Sequence, residues 1–440
     1  MTALKEYKSF KGLNTVADPV RLDLRWLTQA VNVHANSTGG IERRMGYECV
    51  SRTPTITAFS RSDSKFTYIQ RDGAITDLAG VELVKTTSKR PMWWGEINNE
   101  VYYSNGPDAG KFVDGYSHAT WRLPIPREPV VVVNTGSGAI IPGAYQVRTT
   151  VVAPDGRESG WSDAAIIDCT SNTASFSITP SVFDGYTTRI YITAVGSSSP
   201  QYAGSLSSPG TMSWFGDPNQ LGFDATTNFL DSLQPNVDVF AFFKASCYAA
   251  EFMPQSDVSV IWVSEPLGYH LFNLNSGFML LPGRVRMLCA TEDALIIGTD
   301  RAVFAFDGKT LTRIALYGVI AGQNCVRDTQ VKTNRILFMS ERGLCEALPF
   351  NNLTEDRVAI PRAARAGGVF MQQDGHCRFI ATLHDVGGVY NPATNQPTSG
   401  QFTLNGVTFN VPAQGLSIDD IDLLLGAKIG ALNFSPGVLI

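Results

Sequence analysis

Pairs of short strand-forming segments recur along this chain at intervals of about 40 residues. Each pair is rich in β-branched and aromatic residues, and its turn contains Ser, Thr, Gly or Asp, as pleated strands and tight turns require. One small sheet of this kind cannot bury its own faces and must stack on neighbouring sheets, which is the arrangement of a β-propeller. We count six such units and allow for a seventh; they begin near Phe66, Glu100, Ser259, Ala294, Arg335 and Cys377.

The composition supports a folded, all-β chain. Of 440 residues, 44% are apolar and 17% are charged, a balance typical of globular proteins, and 40 Gly and 23 Pro provide turns. The net charge of −5 gives no positive electrostatic potential that would bind nucleic acid tightly.

No stretch has the roughly 18 apolar residues that a membrane-spanning helix needs. The first segment, Met1–Gly12, lacks the apolar core of a signal peptide, so we expect a soluble product made in a cytoplasm.

The repeat is interrupted between residues 127 and 235. A Pro-rich hinge, Leu123–Pro129, leads into alternating segments that are broken about every 8 to 12 residues by Gly, Pro or Asp. This pattern predicts an inserted β-sandwich of about 100 residues. Its strands are expected at Val130–Val133, Gly143–Val152, Ala174–Ile178 and Thr188–Ile192.

Three short motifs of this insertion are similar to motifs in fibronectin type III-like insertions of phage proteins. They are Tyr145–Arg148, then Asp155–Ser159 with Ser162, and then Arg189–Tyr191. The resemblance implies a fibronectin-like sandwich at this place in the chain.

The N-terminal segment contains a stretch that favours a helix. Leu22–Asn32 follows Asp18 and Pro19, which suit a helix start because Asp accepts free backbone N–H groups and Pro fits the first turn. The sequence therefore predicts a helix over 22–32, and then a turn at Gly39 and Gly40.

The same segment resembles the opening of propeller-type tail and neck proteins of tailed bacteriophages. The resemblance covers about 40 residues and rests on Phe10–Asn14, Leu22–Leu27, Ala30–Val33, Gly39–Gly40 and Arg43–Tyr47. It implies a tail nozzle, hub or neck component, often as a hexameric ring around a channel that genomic DNA crosses without specific binding. Implied partners are portal or adaptor proteins, other tail proteins and tail fibres. Because a mildly acidic wall repels phosphate, we expect a lumen poor in exposed Lys and Arg.

The C-terminal region leaves the repeat. Gln401–Val411 predicts a hairpin, since Asn405 and Gly406 tolerate the positive φ angles of a two-residue turn. Ser417–Leu425 predicts a short helix with a Ser cap and acids in its first turn. This appendage either docks on a partner or closes the ring, and both interpretations stay open.

The chain offers few residues for chemistry. Its seven Cys are single, without a CxxC pair, which argues against a disulfide framework and a zinc site: Cys49, Cys169, Cys247, Cys289, Cys325, Cys345 and Cys377. Its five His, at 34, 118, 270, 376 and 384, lack the i, i+4 spacing of a helical metal pair. His376 and Cys377 are adjacent, and neighbours in a strand face opposite sides. Thr135–Gly138 lacks the further residues of a phosphate-binding loop and predicts a turn.

Charged residues fit surface turns better than a reaction centre. Acids that could cleave a polysaccharide fall mainly at turns, where Asp caps its own backbone: Asp155, Glu158, Asp293, Asp300, Asp307, Glu341 and Asp374. Basic residues form small groups that could contact phosphate or a subunit, or are solvated surface: Arg43–Arg44, Lys89–Arg90, Arg284 with Arg286, and Arg362 with Arg365.

The sequence therefore predicts five segments: an N-terminal docking segment at 1–54, first propeller blades at 55–126, a fibronectin type III-like insertion at 127–235, remaining blades at 236–385 and a C-terminal appendage at 386–440.

We interpret the chain as a structural protein of a phage virion and not as an enzyme, without catalytic, cofactor-binding or metal-binding residues. Two other classes stay open. One is a receptor- or carbohydrate-binding tail tip protein that uses Trp93, Trp94, Trp161 or Trp214. The other is a polysaccharide-degrading tail enzyme.

Overall fold

A computed structural model describes residues 9–30, 33–35, 40–43, 53, 55–195, 197, 199–328, 335–358, 360, 363–373, 376–384, 389–391, 396–398, 400–404, 407–411 and 437–439. These residues are all-β and form many small, mostly antiparallel sheets. Their one helical element is a single 3₁₀ turn, Pro218–Gln220. In the described segments, no helix combines the length and the apolarity that crossing a bilayer demands.

The chain divides into two compact units. One comprises residues 1–55 and 282–440, and the other comprises residues 56–281. We call them the split unit and the central unit. The five segment boundaries predicted above stay predictions.

The N-terminal part of the split unit forms two small ladders. Strands β1 (Gly12–Leu13) and β2 (Trp26–Leu27) pair in parallel, and β3 (Val33–Ala35) and β4 (Ile41–Arg43) pair in antiparallel.

The predicted helix is wrong for the described residues 22–30, which form turns and β2. The side chains of Asp18 and Asp23 accept the backbone N–H groups of Val20 and Arg25, so local turns replace helical bonds. Residues 31 and 32 of the prediction lie outside the described part.

The central unit begins with two four-stranded antiparallel sheets whose strands follow chain order. The first has β5 (Thr57–Ser60), β6 (Thr67–Arg71), β7 (Ala74–Thr76) and β8 (Glu82–Lys85). The second has β9 (Trp93–Ile97), β10 (Glu100–Ser104), β11 (Ala109–Val113) and β12 (Ser117–Thr120). A mostly aromatic core, including Tyr68, Trp94 and Phe112, joins their faces.

The insertion is a two-layered sandwich. Its strands are β13 (Val130–Ile140), β14 (Gly143–Val152), β15 (Ala165–Cys169), β16 (Thr173–Thr179), β17 (Thr187–Thr193), β18 (Pro200–Leu206) and β19 (Met212–Trp214). One sheet has the order β13-β16-β19 and the other β15-β14-β17-β18. Inward residues of both sheets, such as Val147, Phe176 and Trp214, share one core.

The predicted turn at Thr135–Gly138 is wrong, because these residues lie within β13. The register to β16 shifts after Asn134 and again before Ile140, so the glycines accommodate a strand irregularity. A Cβ at Gly138 would lie 2.4 Å from the carbonyl oxygen of Thr173, which explains the need for glycine.

A third repeat sheet completes the central unit. It contains β20 (Val239–Phe243), β21 (Ser246–Met253), β22 (Val258–Glu265) and β23 (Gly268–Phe272), and β24 (Phe278–Pro282) pairs with β22. It contacts the β9–β12 sheet through indole hydrogen bonds: Trp93 Nε1 donates to the Phe240 carbonyl at 2.7 Å, and Trp121 Nε1 to the Tyr269 carbonyl at 2.7 Å.

The split unit contains the later sheets. Two have four antiparallel strands in chain order: β25 (Val285–Ala290), β26 (Leu295–Thr299), β27 (Val303–Phe306) and β28 (Leu311–Ala315), then β29 (Val326–Asp328), β30 (Arg335–Ser340), β31 (Gly343–Ala347) and β32 (Asn351–Asn352). Next come β33 (Arg365–Gln373), β34 (His376–His384), β35 (Val389–Asn391), β36 (Gln396–Thr398), β37 (Gly400–Leu404), β38 (Val407–Val411) and β39 (Gly437–Leu439), with β33-β34-β39 as one sheet.

One connecting segment, Gly318–Asn324, bonds to three sheets of the split unit. Val319 N donates to Thr299 O at 3.0 Å, Ile320 N to Met339 O at 3.1 Å, and Ala366 N to Ala321 O at 2.8 Å. An aliphatic core that includes Ile320, Met339 and Leu383 lies beside it. The connector therefore fastens neighbouring sheets through the backbone.

The C-terminal hairpin is confirmed, since β37 and β38 pair with Leu404 opposite Val407. The predicted helix at Ser417–Leu425 lies outside the described residues.

Candidate functional site

The structure does not gather the histidines into one site. His118 Nε2 lies 2.9 Å from the Tyr103 hydroxyl, and burial lowers its pKa. His270 Nε2 lies 3.1 Å from the carbonyl oxygen of Glu158. His376 and Cys377 are neighbours on β34, as expected, but their side chains lie outside the described part, as do those of His34 and His384. Among described residues, no three His, Cys, Asp or Glu side chains are grouped to hold a metal ion.

Two of the candidate acids, Asp300 and Asp307, bind backbone N–H groups in the split unit. Asp307 accepts the backbone N–H groups of Lys309 and Thr310, both at 2.7 Å, and Asp300 accepts that of Arg284 at 3.0 Å. The Asp307 bonds match the capping that turn acids favour, whereas the Asp300 bond joins two separate segments of the chain. Asp374 lies outside the described residues.

The basic groups are separate from one another. Lys89 pairs with Asp72 at 2.6 Å on the exposed surface, and Arg286 donates to the Val319 carbonyl at 3.3 Å. Arg43 and Arg365 are exposed, whereas Arg44 and Arg362 lie outside the described part.

The residues that do converge belong to the turn between β14 and β15. Arg157 pairs with Asp155 at 2.7 Å and donates to the carbonyls of Thr120 at 2.6 Å and Trp121 at 3.3 Å. The sandwich turn is thus fastened to the end of the β9–β12 sheet. We call Asp155–Ser162, with the side chains it contacts, the turn anchor.

A buried lysine extends this anchor. Lys111 is only 6% exposed, and its Nζ lies 2.7 Å from Glu100 Oε1 and 3.6 Å from Asp155 Oδ2. Glu100 also accepts the Tyr102 hydroxyl at 2.6 Å. Burial, reinforced by this bond, raises the pKa of Tyr102. Each buried charge therefore has a partner, as a low-dielectric site requires.

Opposing effects also set the pKa of Asp155. Burial would raise its pKa, but hydrogen bonds and the charge of Arg157, with Lys111 farther away, bring it below the ordinary value. The carboxyl group is thus held as an anion and cannot act as a proton donor near neutral pH.

Glu158 connects the turn anchor to the outer face of the sandwich. Its carboxylate accepts bonds from Tyr191 at 2.6 Å, Arg189 at 2.5 Å and Thr150 at 2.5 Å. Ser159 and Ser162 accept the backbone N–H groups of Val151 and Thr149 in β14. The motif residues therefore fold the turn back onto its own strand.

His270 contacts the anchor from β23. Burial, followed by the charge of Arg157, lowers its pKa to about 4, so the ring is neutral at pH 7 and its Nε2–H can donate to Glu158 O. The arrangement joins the sandwich to two other sheets of the central unit.

One outer face of the sandwich carries an aromatic strip, which we define as Trp161, Phe229, Tyr191, Tyr202 and Phe223. The Arg148 guanidinium lies 4.7 Å from the Trp161 ring centre, and the rings of Tyr202 and Phe223 stack at 5.1 Å. Phe229 is 70% exposed and Phe223 is 54% exposed. Of the Trp candidates, only Trp161 is partly exposed, whereas Trp93, Trp94 and Trp214 are all buried.

Comparisons with known proteins give no family. No protein-family model matches the chain, and no curated protein matches it. A crystal structure of the computationally designed Ika8 protein is 11% identical, with a TM-score of 0.23, and the match covers 74% of this chain and 91% of that chain. PorZ, a surface component of the type-IX secretion system of Porphyromonas gingivalis, is 11% identical with a TM-score of 0.19, covering 88% of this chain and 59% of that chain. Scores this low carry no argument about fold or function.

Proposed function

We propose that this chain is a structural, non-enzymatic virion protein of a tailed bacteriophage, a tail nozzle, hub or neck component. In this proposal the four-stranded sheets outside the sandwich are blades of a β-propeller of six or seven blades, and the sandwich is a fibronectin type III-like insertion. The observation that carries it is the order of the strands. In β5–β8, β9–β12, β25–β28 and β29–β32, consecutive strands are hydrogen-bonded neighbours. Propeller blades have this order, and the sequence repeat near 40 residues agrees with it.

The contacts of the turn anchor support a role in shape rather than in reactivity. Arg157, Lys111 and Glu158 are each satisfied by groups of the same unit. Buried charges that are fully paired hold one arrangement of the surrounding elements. An inserted domain fixed in this way suits a scaffold that docks other proteins.

The proposed assembly is a hexameric ring around a DNA channel in the tail or neck, in contact with portal or adaptor proteins, other tail proteins and tail fibres. The resemblance of the N-terminal segment supports this, and so does the net charge of −5, because an acidic wall lets phosphate pass.

Electron microscopy of the purified full-length chain, with light scattering for the molar mass, tests the proposal. Rings of several copies with a bore poor in Lys and Arg are expected. Particles of a single copy at every concentration, or a ring with a strongly basic bore, would overturn it.

A second candidate function, binding of a surface carbohydrate receptor, is favoured by the aromatic strip. Exposed rings beside Arg148 and Arg189 offer flat apolar faces and hydrogen-bond donors, which a sugar needs. A glycan array tests it with the wild type, Phe223→Ser and Phe229→Ser; Phe215→Ser is the control, since Phe215 is 61% exposed outside the strip. Binding lost only in the strip variants supports this function, and a wild type that binds no glycan excludes it.

A further inference from the structure

Two cysteines that are far apart in the sequence meet between neighbouring sheets of the split unit. Cys289 lies on β25, the first strand of the β25–β28 sheet, and Cys325 directly precedes β29, the first strand of the next sheet. The Cys325 thiol forms a side-chain hydrogen bond with Cys289, and its Sγ lies 3.9 Å from the carbonyl oxygen of Leu288.

Other contacts fix the same two strands side by side. Residues of β25 and β29 are in contact, and Arg327 on β29 pairs at 3.0 Å with Glu292, which follows β25. Both residues are partly exposed, but the Cys325 thiol itself is buried, so Cys289 is the cysteine that a small oxidant meets first. Cys169, Cys247 and Cys345, the buried cysteines of the described part, show no cysteine among their hydrogen-bond partners.

We propose that Cys289 and Cys325 are a modification site, which a low-molecular-weight disulfide such as oxidised glutathione converts into a reversible disulfide that links the β25–β28 and β29–β32 sheets.

The chemistry balances as two thiol–disulfide exchanges. The Cys289 thiolate attacks one sulfur of the oxidant, the oxidant's S–S bond breaks, and one glutathione thiol leaves with a proton. The Cys325 thiolate then attacks the sulfur of Cys289 and releases the second glutathione. Two protein thiols are oxidised and one glutathione disulfide is reduced.

The local environment makes this link slow to form. The hydrogen bond with Cys289 and then burial raise the pKa of Cys325 well above its ordinary value, so little thiolate is present near neutral pH. The second exchange therefore limits the rate. Slow closure suits a structural clamp better than a rapid redox sensor.

Peptide mapping of the wild-type full-length protein tests the proposal. After incubation with oxidised glutathione, free thiols are blocked with N-ethylmaleimide and the protein is digested with trypsin. Cleavage after Arg leaves Cys289 in peptide 287–301 and Cys325 in peptide 314–327, each with a single cysteine. We expect the two peptides to be linked, and to separate on treatment with dithiothreitol.

Thermal unfolding supplies a second measurement. Because a closed loop restricts the unfolded chain, oxidation should raise the unfolding temperature by about 5 °C. Cys345→Ser should retain this rise, and Cys289→Ser should lose it. Peptides that stay unlinked, that carry only glutathione, or that link to other cysteines would overturn the proposal, and the wild-type digest decides this even if a variant fails to fold.

Discussion

The two units join their sheets by different means. In the central unit, the side chain of Trp121 is fully buried, packs its ring at 4.8 Å against Phe240 and donates to the Tyr269 carbonyl. In the split unit, the connector Gly318–Asn324 makes backbone hydrogen bonds to three sheets. A contact made by large side chains, here Trp93 and Trp121, depends on the identity of those residues. A contact made by the backbone depends instead on whether the connector fits sterically between the neighbouring sheets.

Replacement of Trp121 by Ala should give the largest effect. It removes a fully buried indole, its ring contacts with Tyr102 and Phe240, and the bond to Tyr269 O. We expect a loss of about 4 kcal/mol in the free energy of unfolding, measured by urea denaturation. Trp121→Phe keeps an aromatic ring and leaves the carbonyl unpaired, so it should cost about 1.5 kcal/mol. Equal losses for both variants would mean that the hydrogen bond, not ring packing, fastens the contact.

Gly318→Ala should disturb the connector without removing any side chain. A Cβ at this position would lie 2.3 Å from the carbonyl oxygen of Asp300, which is backbone and cannot rotate away. We expect a loss of about 3 kcal/mol in the same measurement. Gly210→Ala is the control, because its nearest neighbour is 3.8 Å away. A loss of unfolding free energy no larger than that of Gly210→Ala would show that the connector backbone shifts to accommodate the added methyl group.

Asn324→Ala tests a buried side chain that reinforces the connector. The buried Asn324 amide donates to Ile320 O at 2.7 Å and accepts Met339 N at 2.9 Å. Alanine would leave both backbone groups unpaired, at a cost of about 2.5 kcal/mol. Hydrogen exchange should show faster exchange at Met339. Unchanged protection there would contradict the assigned bond.

Acid should weaken the central unit through His270. Folding lowers the pKa of His270 from the ordinary 6.5 to about 4. Between these two pH values the unfolded chain binds a proton and the folded chain does not. Lowering the pH from 6.5 towards 4 therefore lowers the free energy of unfolding. The loss between pH 7 and pH 5 should be about 2 kcal/mol. Local unfolding can be followed by hydrogen exchange in each unit.

The matched variant for this prediction is His270→Gln, which can still donate to Glu158 O but does not titrate. It should remove most of the pH dependence, and His118, whose pKa burial also lowers, should account for part of the remainder. A wild-type slope that persists in full would exclude His270 as its source.

Much of the strand pattern could be predicted from the sequence. The strand expected over Gly143–Val152 is confirmed as β14, in which more and less buried residues alternate over much of the strand. Units expected to begin near Glu100 and Arg335 begin there as β10 and β30, whose residues are buried on both faces. The helix over 22–30 failed because Asp18 and Asp23 make local turns that hydropathy does not register.

The candidate site was less accessible to sequence reasoning. Asp155 and Glu158 were identified as turn acids within a motif. Lys111, which pairs with Asp155, and Glu100, which pairs with Lys111, come from a sheet that precedes the insertion. The one local signal was a lysine inside the strand Ala109–Val113, where a charge needs a buried partner. Cys289 and Cys325 gave no signal, because their contact depends on how two sheets lie beside each other.

The connector also bears on how the split unit can come apart. Arrays of stacked modules often unravel one module at a time, since each module contacts only its nearest neighbours. Gly318–Asn324 shares its amide and carbonyl groups among three sheets, so removal of any one sheet leaves a backbone group of the connector without its partner. Those three sheets should therefore melt in a single cooperative step, and their amide protons should share one opening free energy.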